Sequence, residues 1–194
     1  MLILETERLR LRNWCKDDRD LFREINRDPK VMEFYPMRRS HEEADALMDL
    51  VSDMIASTGL GFYALADRET DEALGFCGLA KVELPGILPP DAVEIGWRLA
   101  TRFWGQGYVT EAARALLSFG FQERQIPQIF SFAVETNHRS IAVMKRIGMC
   151  EVEAGAFNHP RVPETHPHLM RHVLYRADFP SRTKNRERQT RINR

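Results

Sequence analysis

The sequence predicts a mixed α/β domain in which helices cover both faces of one sheet. Residues 7–14 alternate apolar and polar side chains, which is typical of a half-buried strand. Residues 41–57 place apolar side chains at helical spacing instead. The predicted order of elements along the chain is β-α-α-β-β-β-α-β-α-β-β. Strands and helices that are mixed in this way favour one sheet over separate all-α and all-β domains.

Helix signals are clearest in the first half of the chain. A helical pattern that begins at residue 17 stops at Pro29, because proline cannot continue a helix. Ser40 and Glu43 match the capping box that opens a helix. A turn at 69–73 joins two apolar segments as a hairpin. The elements predicted for this half are a strand at 7–14, helices at 17–28 and 41–57, and strands at 61–68 and 74–84.

The second half alternates strands with helices. Two loops, 85–92 and 158–167, are identified by their prolines. Gly148 ends a helix as a C-terminal cap. The elements predicted for this half are strands at 93–100, 128–134, 149–157 and 168–177, and helices at 110–123 and 140–148.

The composition is that of an ordinary globular protein. Of the 194 residues, 43% are apolar and 29% are charged, which suits one domain with a sizeable core. We assign this domain to residues 1–180. There is no run of eighteen apolar residues and no signal-peptide pattern, so we expect no membrane association and a cytoplasmic location. Three cysteines far apart in the sequence predict reduced thiols, which agrees with that location.

The C-terminal segment 181–194 differs from the rest of the chain. It holds six basic residues and one acidic residue, whereas the remainder has five more acidic than basic residues. Because it has one apolar side chain, it cannot bury a helix face, and we expect a disordered or extended tail. Two interpretations stay open: a solvated tail, or an arm that touches nucleic acid or the ribosome.

The segment RFWGQGY, residues 102–108, lies between a predicted strand and a predicted helix. The start of a helix exposes unpaired backbone N–H groups and a partial positive charge, and glycines let an anion approach the backbone closely. The pattern therefore indicates a phosphate cradle, although two glycines at such a junction also form an ordinary tight turn. Neither the Walker A motif nor the three-glycine dinucleotide fingerprint is present.

Arg102, Gly105 and Gly107 match R-x-x-G-x-G, which resembles the pyrophosphate loop of the GNAT N-acetyltransferase superfamily. The surrounding EIGWRLATRFWGQGYVTEAARALLSFGF and the later ETNHRSIAVMKRIGM are similar to that family as well. The N-terminal LETERLRLR resembles its ribosomal-protein branch, of the RimJ/RimL type. The resemblance covers residues 2–178. It implies a mostly antiparallel sheet of six or seven strands, with a V-shaped splay between the fourth and fifth.

The resemblance further implies that acetyl-CoA lies in that splay, between the strands at 93–100 and 128–134. The backbone at the end of the first of these strands would bind the acetyl group and pantetheine like an added strand. The glycine segment would bind the pyrophosphate. Asn137 would bind the pantetheine arm, although an asparagine at a helix start also caps its own helix. The acetyl-CoA-binding residues implied are Trp97, Arg98, Leu99, Arg102, Phe103, Trp104, Gly105, Gln106, Gly107, Tyr108, Asn137 and Ser140.

Transfer of the acetyl group to an amine, which the resemblance implies, requires a base that takes a proton from that amine. Glu94 lies three residues before Trp97, where many members of the family carry a carboxylate, and is our candidate base. The alternative is a strand glutamate that is solvated or paired with an arginine. Glu135 and His138, beside the end of the next strand, are further candidates.

The leaving thiolate of coenzyme A must be protonated. The family's usual tyrosine is replaced by Met144, which cannot donate a proton. Ser140 matches the serine of the RimJ/RimL branch, where it serves the leaving sulfur together with the asparagine. Ser140 could also cap its helix, and the two roles are compatible. Histidines in the region 159–172 fit no standard zinc spacing, so no metal is expected.

The expected function is acetyl transfer from acetyl-CoA to a primary amine, by direct attack in a ternary complex. The acceptor is either a protein N-terminus, with the basic tail contacting the ribosome, or a small-molecule amine. Phe34, Tyr35 and Arg38 are candidate acceptor contacts, or else core aromatics beside a surface arginine. The alternative function is a non-catalytic acyl-CoA-binding or adaptor protein, because the usual tyrosine is missing. The resemblance also suggests a homodimer.

Overall fold

The structure, a computed structural model, describes residues 1–179, so the basic segment 181–194 lies outside the described residues. Nine strands and four α-helices follow one another along this part of the chain. The strands are β1 (Leu2–Glu5), β2 (Leu9–Arg12), β3 (Gly61–Asp67), β4 (Ala73–Lys81), β5 (Val93–Leu99), β6 (Gln128–Val134), β7 (Cys150–Glu151), β8 (Phe157–Asn158) and β9 (Arg171–Asp178). The helices are α1 (Arg19–Arg27), α2 (His41–Thr58), α3 (Tyr108–Gln122) and α4 (His138–Arg146).

All nine strands belong to one sheet, in the order β1-β2-β3-β4-β5-β6-β9-β7, with β8 paired to β9. Every pair is antiparallel except β5 with β6, which is parallel. Seven strands have four or more residues, and β7 and β8 have two each. The predicted mixed, mostly antiparallel sheet is therefore confirmed.

Two local details differ from the predictions. The N-terminal strand predicted at 7–14 is present as β2, but a further strand that was not predicted, β1, precedes it and pairs with it. The strand predicted at 149–157 is interrupted between β7 and β8. Ala154 adopts a positive φ of 53° there, and the N–H of Gly155 donates to the carbonyl of Val152 at 2.9 Å. This tight turn leaves only two residues on each side to pair with β9.

The predicted capping box at the start of α2 is confirmed. The Ser40 hydroxyl accepts a hydrogen bond from the N–H of Glu43 at 3.2 Å, and the Glu43 carboxylate accepts one from the N–H of Ser40 at 2.8 Å. These bonds satisfy two donors that the first helical turn cannot pair internally.

We expect Ser40→Ala to lower the free energy of unfolding by about 1 kcal/mol, because the first turn of α2 loses its cap. Urea unfolding followed by circular dichroism measures the change. Ser118→Ala is the matched control, since Ser118 is exposed in the middle of α3 and alanine favours a helix interior. Equal losses in the two variants would contradict a capping role.

The parallel pair in the middle of the sheet opens soon after it forms. β5 and β6 pair only at Val93 with Ile129 and at Glu94 with Phe130. β5 then continues for five residues and β6 for four, so the two strands separate towards their C-terminal ends. α3 packs closely against the paired part of these strands, because a Cβ on Gly120 would lie 2.7 Å from the Ile129 side chain. The V-shaped splay expected between these strands is confirmed.

Candidate functional site

A cleft of about 950 Å³ lies at this opening of the sheet. Its walls come from the end of β5, the glycine segment, the first turns of α3 and α4, and the loop between α1 and α2. The cleft therefore brings together chain segments that lie far apart in the sequence. The predicted site residues that line it are Phe34, Tyr35, Trp97, Arg98, Leu99, Phe103, Trp104, Gly105, Gly107, Tyr108, Asn137 and Ser140.

The glycine segment has the backbone that an anion site requires. Gly105 and Gly107 adopt φ angles of 77° and 81°, a left-handed conformation that side chains disfavour. Gly107 is also the N-terminal cap residue of the fifteen-residue helix α3. The N–H groups of Gly105, Gly107 and Tyr108 have no hydrogen-bond acceptor within residues 1–179. Free donors and the positive end of the helix dipole thus meet at the wall of the cleft.

Four arginines that the sequence reasoning missed also line the cleft: Arg8, Arg114, Arg139 and Arg146. The Arg8 guanidinium donates to the carbonyl of Gln106 at 3.2 Å and so braces the glycine segment. Arg114 and Arg146 lie side by side, since Arg114 donates to the Arg146 carbonyl at 2.9 Å. A rim of this charge suits the phosphates of a nucleotide. Their only sequence signal was basic charge on predicted helices and strands.

Arg102 and Gln106 differ from the other residues of the glycine segment, because neither lines the cleft. The Arg102 guanidinium forms an ion pair with Glu24 of α1 and lies over the Phe103 ring. The Gln106 side chain donates to the carbonyl of Arg102 at 3.3 Å. The Arg102 side chain therefore connects the glycine segment to α1 and does not face the cleft.

Asn137 and Ser140 lie together at the start of α4 and both face the cleft. The Asn137 Oδ1 accepts a hydrogen bond from the N–H of Ser140 at 3.2 Å, so asparagine caps the helix as one interpretation expected. The Ser140 hydroxyl has no hydrogen bond within the described chain and can serve another group. Met144, one turn further along, is buried in the core.

Glu94 lies on β5 at the last position that pairs with β6. Burial raises the pKa of its carboxyl to about 7, and the positive charge of Arg161 opposes that rise. The side chain is not among those that line the cleft. Along an extended strand, Trp97 lies about 10 Å further on. Glu94 therefore lies where the splay begins, three residues before Trp97.

The candidate acceptor residues separate into two places. Phe34 and Tyr35 line the cleft, and Tyr35 stacks on the Arg98 guanidinium at 4.3 Å. Arg38 lies in a different hollow, beside Arg39 and the start of α2. The loop between α1 and α2 thus contributes its aromatic side chains to the cleft, but not this arginine.

Two of the clustered histidines, His159 and His172, lie in an aromatic group with Phe132 and Phe157. The two imidazole rings are 4.9 Å apart. Burial lowers the pKa of His159 to about 4, so this ring is uncharged at neutral pH. Among residues 1–179, no three His, Cys, Asp or Glu side chains are grouped closely enough to hold a metal ion. In the same range, no helix has the length and apolarity needed to cross a membrane.

Comparison with known proteins agrees with this geometry. The family model "Acetyltransferase (GNAT) domain" matches residues 8–150. The chain is 35% identical to the uncharacterized protein YkkB of Bacillus subtilis, over 75% of this chain and 84% of YkkB. It is 29% identical to the FsC-acetyl coenzyme A-N(2)-transacetylase of Aspergillus fumigatus, over 94% of this chain and 82% of that enzyme.

A solved structure with the same fold is RimL, a ribosomal L7/L12 alpha-N-protein acetyltransferase in complex with coenzyme A. It has a TM-score of 0.72 and 17% identity, and the match covers 92% of this chain and 98% of RimL. At that identity the likeness concerns the fold. The family model spans well over half of the chain and includes the whole glycine segment. This chain therefore belongs to the GNAT family of acetyl-CoA-dependent acetyltransferases.

Proposed function

We propose that the protein transfers the acetyl group of acetyl-CoA to a primary amine, by direct attack within a ternary complex. The observation that carries this proposal is the cleft itself. One opening in the sheet is bordered by the end of β5, where the backbone no longer pairs with β6, and by the polar start of α4. It is also bordered by N–H groups at the start of α3 that have no acceptor in the described chain. No covalent enzyme intermediate is needed, since the two reactants meet in one place.

Binding of the donor follows from the two walls of the splay. The pyrophosphate would lie on the glycine segment, where Gly105 and Gly107 leave room for close approach and α3 adds its positive end. The rim arginines would pair with the phosphates. The pantetheine arm would extend β5 at Trp97 and Leu99, because β6 no longer occupies that edge.

Glu94 would act as the general base through water. A carboxyl whose pKa is about 7 is partly ionised at neutral pH and can accept a proton near the operating pH. The separation of about 10 Å from Trp97 along the strand excludes direct contact with a thioester held there, so the proton would pass along a short water chain.

Ser140 would serve the leaving thiolate. Its hydroxyl is unpaired in the described chain and lies at the cleft beside Asn137. Removing one hydrogen bond to a charge that develops in the transition state costs about 1–2 kcal/mol, or roughly tenfold in rate. The backbone N–H of residue 140, not its side chain, holds the Asn137 cap, so alanine there keeps the helix start.

The acceptor is a primary amine of one of two classes. FsC-acetyl coenzyme A-N(2)-transacetylase and RimL, which are similar to this chain, are named for different acceptors. If the acceptor is a protein N-terminus, the basic segment 181–194 of this chain would bring the enzyme to the ribosome. Deletion of that segment separates the classes, since turnover of a small amine should survive it and ribosome association should fall. We also propose that the protein is a cytoplasmic homodimer. The three cysteines are free thiols, which supports the cytoplasmic location.

The test is thiol release from acetyl-CoA, across peptides with different N-termini and a set of small amines. We expect turnover with one acceptor class, and Ser140→Ala should lower kcat about tenfold. Ser118→Ala, a serine on the exposed side of α3, is the matched control and should keep full activity. Tight binding of acetyl-CoA without turnover of any acceptor would instead favour the binding-protein function.

A further inference from the structure

Arg98 carries a charge whose partner is missing from the described chain. Its guanidinium lies between two aromatic rings, 4.3 Å from the centre of Tyr35 and 5.3 Å from that of Phe76. Nη1 donates to Asn26 Oδ1 at 2.8 Å, which is a neutral acceptor. Nε is buried without any hydrogen-bond partner, and Nη2 has none within residues 1–179. A buried donor such as Nε requires an explanation.

Two of the other arginines at the cleft have acidic partners, whereas Arg114 and Arg146 donate to a carbonyl and to a hydroxyl. Arg8 pairs with Glu111 at 2.8 Å, and Arg139 pairs with Glu33 at 2.6 Å. Arg98 forms no ion pair with any residue of the described chain. The aromatic rings stabilise the guanidinium through cation–π contact, and they also hold its plane in one orientation. A fixed guanidinium at the wall of a cleft, without an acidic partner in the described chain, is suited to a carboxylate, which can accept a hydrogen bond from Nη2.

Arg98 lies on the face of the sheet opposite to α3. Ile95 and Leu79 are cross-strand partners and share a face with α3, because a Cβ on Gly120 would lie 3.0 Å from Leu79. Side chains alternate between faces along a strand, so Arg98 lies on the opposite face, together with its partner Phe76. That face carries α1 and the loop that holds Tyr35. The guanidinium is thus turned away from the helix whose start would bind the pyrophosphate.

We propose that Arg98, stacked between Tyr35 and Phe76, binds a carboxylate of the acceptor, and that the acceptor is an amine that bears an acidic group. This inference rests on the proposed acetyl transfer and names the substrate class for it. A free amino acid and a peptide with an acidic first residue share this chemistry. The carboxylate would pair with the charge of the guanidinium through Nη2 and so orient the amine within the splay.

The experiment compares pairs of amines that differ only in the carboxylate. The pairs are L-leucine with L-leucinamide, and two tetrapeptides that begin with Glu or Gln. Binding is measured by calorimetry with coenzyme A present, and turnover by thiol release. Succinyl-CoA and acetyl-CoA are also compared with one amine. The variants are Arg98→Met, which keeps an apolar stem, and Arg98→Lys, which keeps the charge but loses the planar fork. Thermal unfolding checks that each variant folds.

The matched control is Arg124→Met, because Arg124 donates to the Thr58 carbonyl near the end of α3 opposite to the cleft. We expect the wild-type protein to bind the carboxylate member of at least one pair about tenfold or more tightly than its amide partner. Arg98→Met should bring that ratio close to one, Arg98→Lys should keep part of it, and Arg124→Met should keep all of it.

Equal binding of both members of every pair by the wild-type protein would overturn the proposal, as would a preference that survives Arg98→Met. If Arg98→Met changes the choice between succinyl-CoA and acetyl-CoA instead, the carboxylate belongs to the donor and the acceptor assignment is wrong. Because binding is measured directly, failure of every amine to be acetylated would count against the proposed function, while the binding ratio would still decide the role of Arg98.

Discussion

Replacing Glu94 by Gln is expected to lower kcat/KM at pH 8 by about 10²–10³-fold, which is the usual contribution of a general base. The amide has nearly the same shape but cannot accept the proton. The sign of the pH dependence follows from the pKa of about 7. Below it the carboxyl is protonated and inactive, so kcat/KM of the wild-type protein should rise as the pH increases through 7.

The pH profile separates this role from a general loss of structure. In Glu94→Gln the rise near pH 7 should vanish, while any rise caused by deprotonation of the amine at higher pH should remain. Glu135→Gln is the matched comparison, because Glu135 is exposed at the end of β6 and was the rival base. If Glu135→Gln lost the rise and Glu94→Gln kept it, the assignment would be reversed.

Glu94→Gln also has an expected effect on stability. The folded-state pKa is raised from 4.5 to about 7, so the stabilisation that comes from the protonated carboxyl is complete below pH 4.5 and is lost as the pH rises through 7. The neutral amide avoids this loss. The variant should therefore gain stability relative to the wild-type protein between pH 5 and pH 8, by up to about 3 kcal/mol. Thermal unfolding at both pH values measures the difference, and a gain independent of pH would contradict burial of the carboxyl.

The second large effect is expected at the glycine segment. Gly107→Val should weaken binding of acetyl-CoA about 100-fold, because a β-branched residue disfavours the φ of 81° that the glycine segment adopts at the start of α3. The side chain would also stand where we propose that the pyrophosphate approaches. Calorimetric titration with acetyl-CoA measures the change.

Gly86→Val provides the control for backbone strain. Gly86 adopts a φ of 79° with open space around it, in the loop between β4 and β5 and away from the cleft. Both variants should lose similar stability, but only Gly107→Val should lose affinity for acetyl-CoA. Equal affinity in the two variants would show that the glycine segment does not bind the donor.

The order of strands and helices could be predicted from the sequence because each signal is local. Ser40 and Glu43 lie three residues apart, so their mutual hydrogen bonds depend on one helical turn. Gly105 and Gly107 stand where a strand meets a helix, and their left-handed φ angles follow from that junction. The turn between β7 and β8 was missed, since Ala154 gives no turn signal and takes its positive φ from the surrounding structure.

The roles of charged side chains, in contrast, were decided by the tertiary structure. Arg8 reaches the glycine segment 98 residues further along the chain, and nothing near it in the sequence indicates this. Arg102 belongs to the motif, yet its guanidinium pairs with Glu24. The sequence alone determined the local backbone conformation, because that follows short-range patterns, and its resemblance to the GNAT family indicated which of these segments border the cleft. Burial sets the pKa of Glu94, and the neighbours brought together by folding leave Arg98 without an acidic partner among residues 1–179. Neither property exists before the chain has folded.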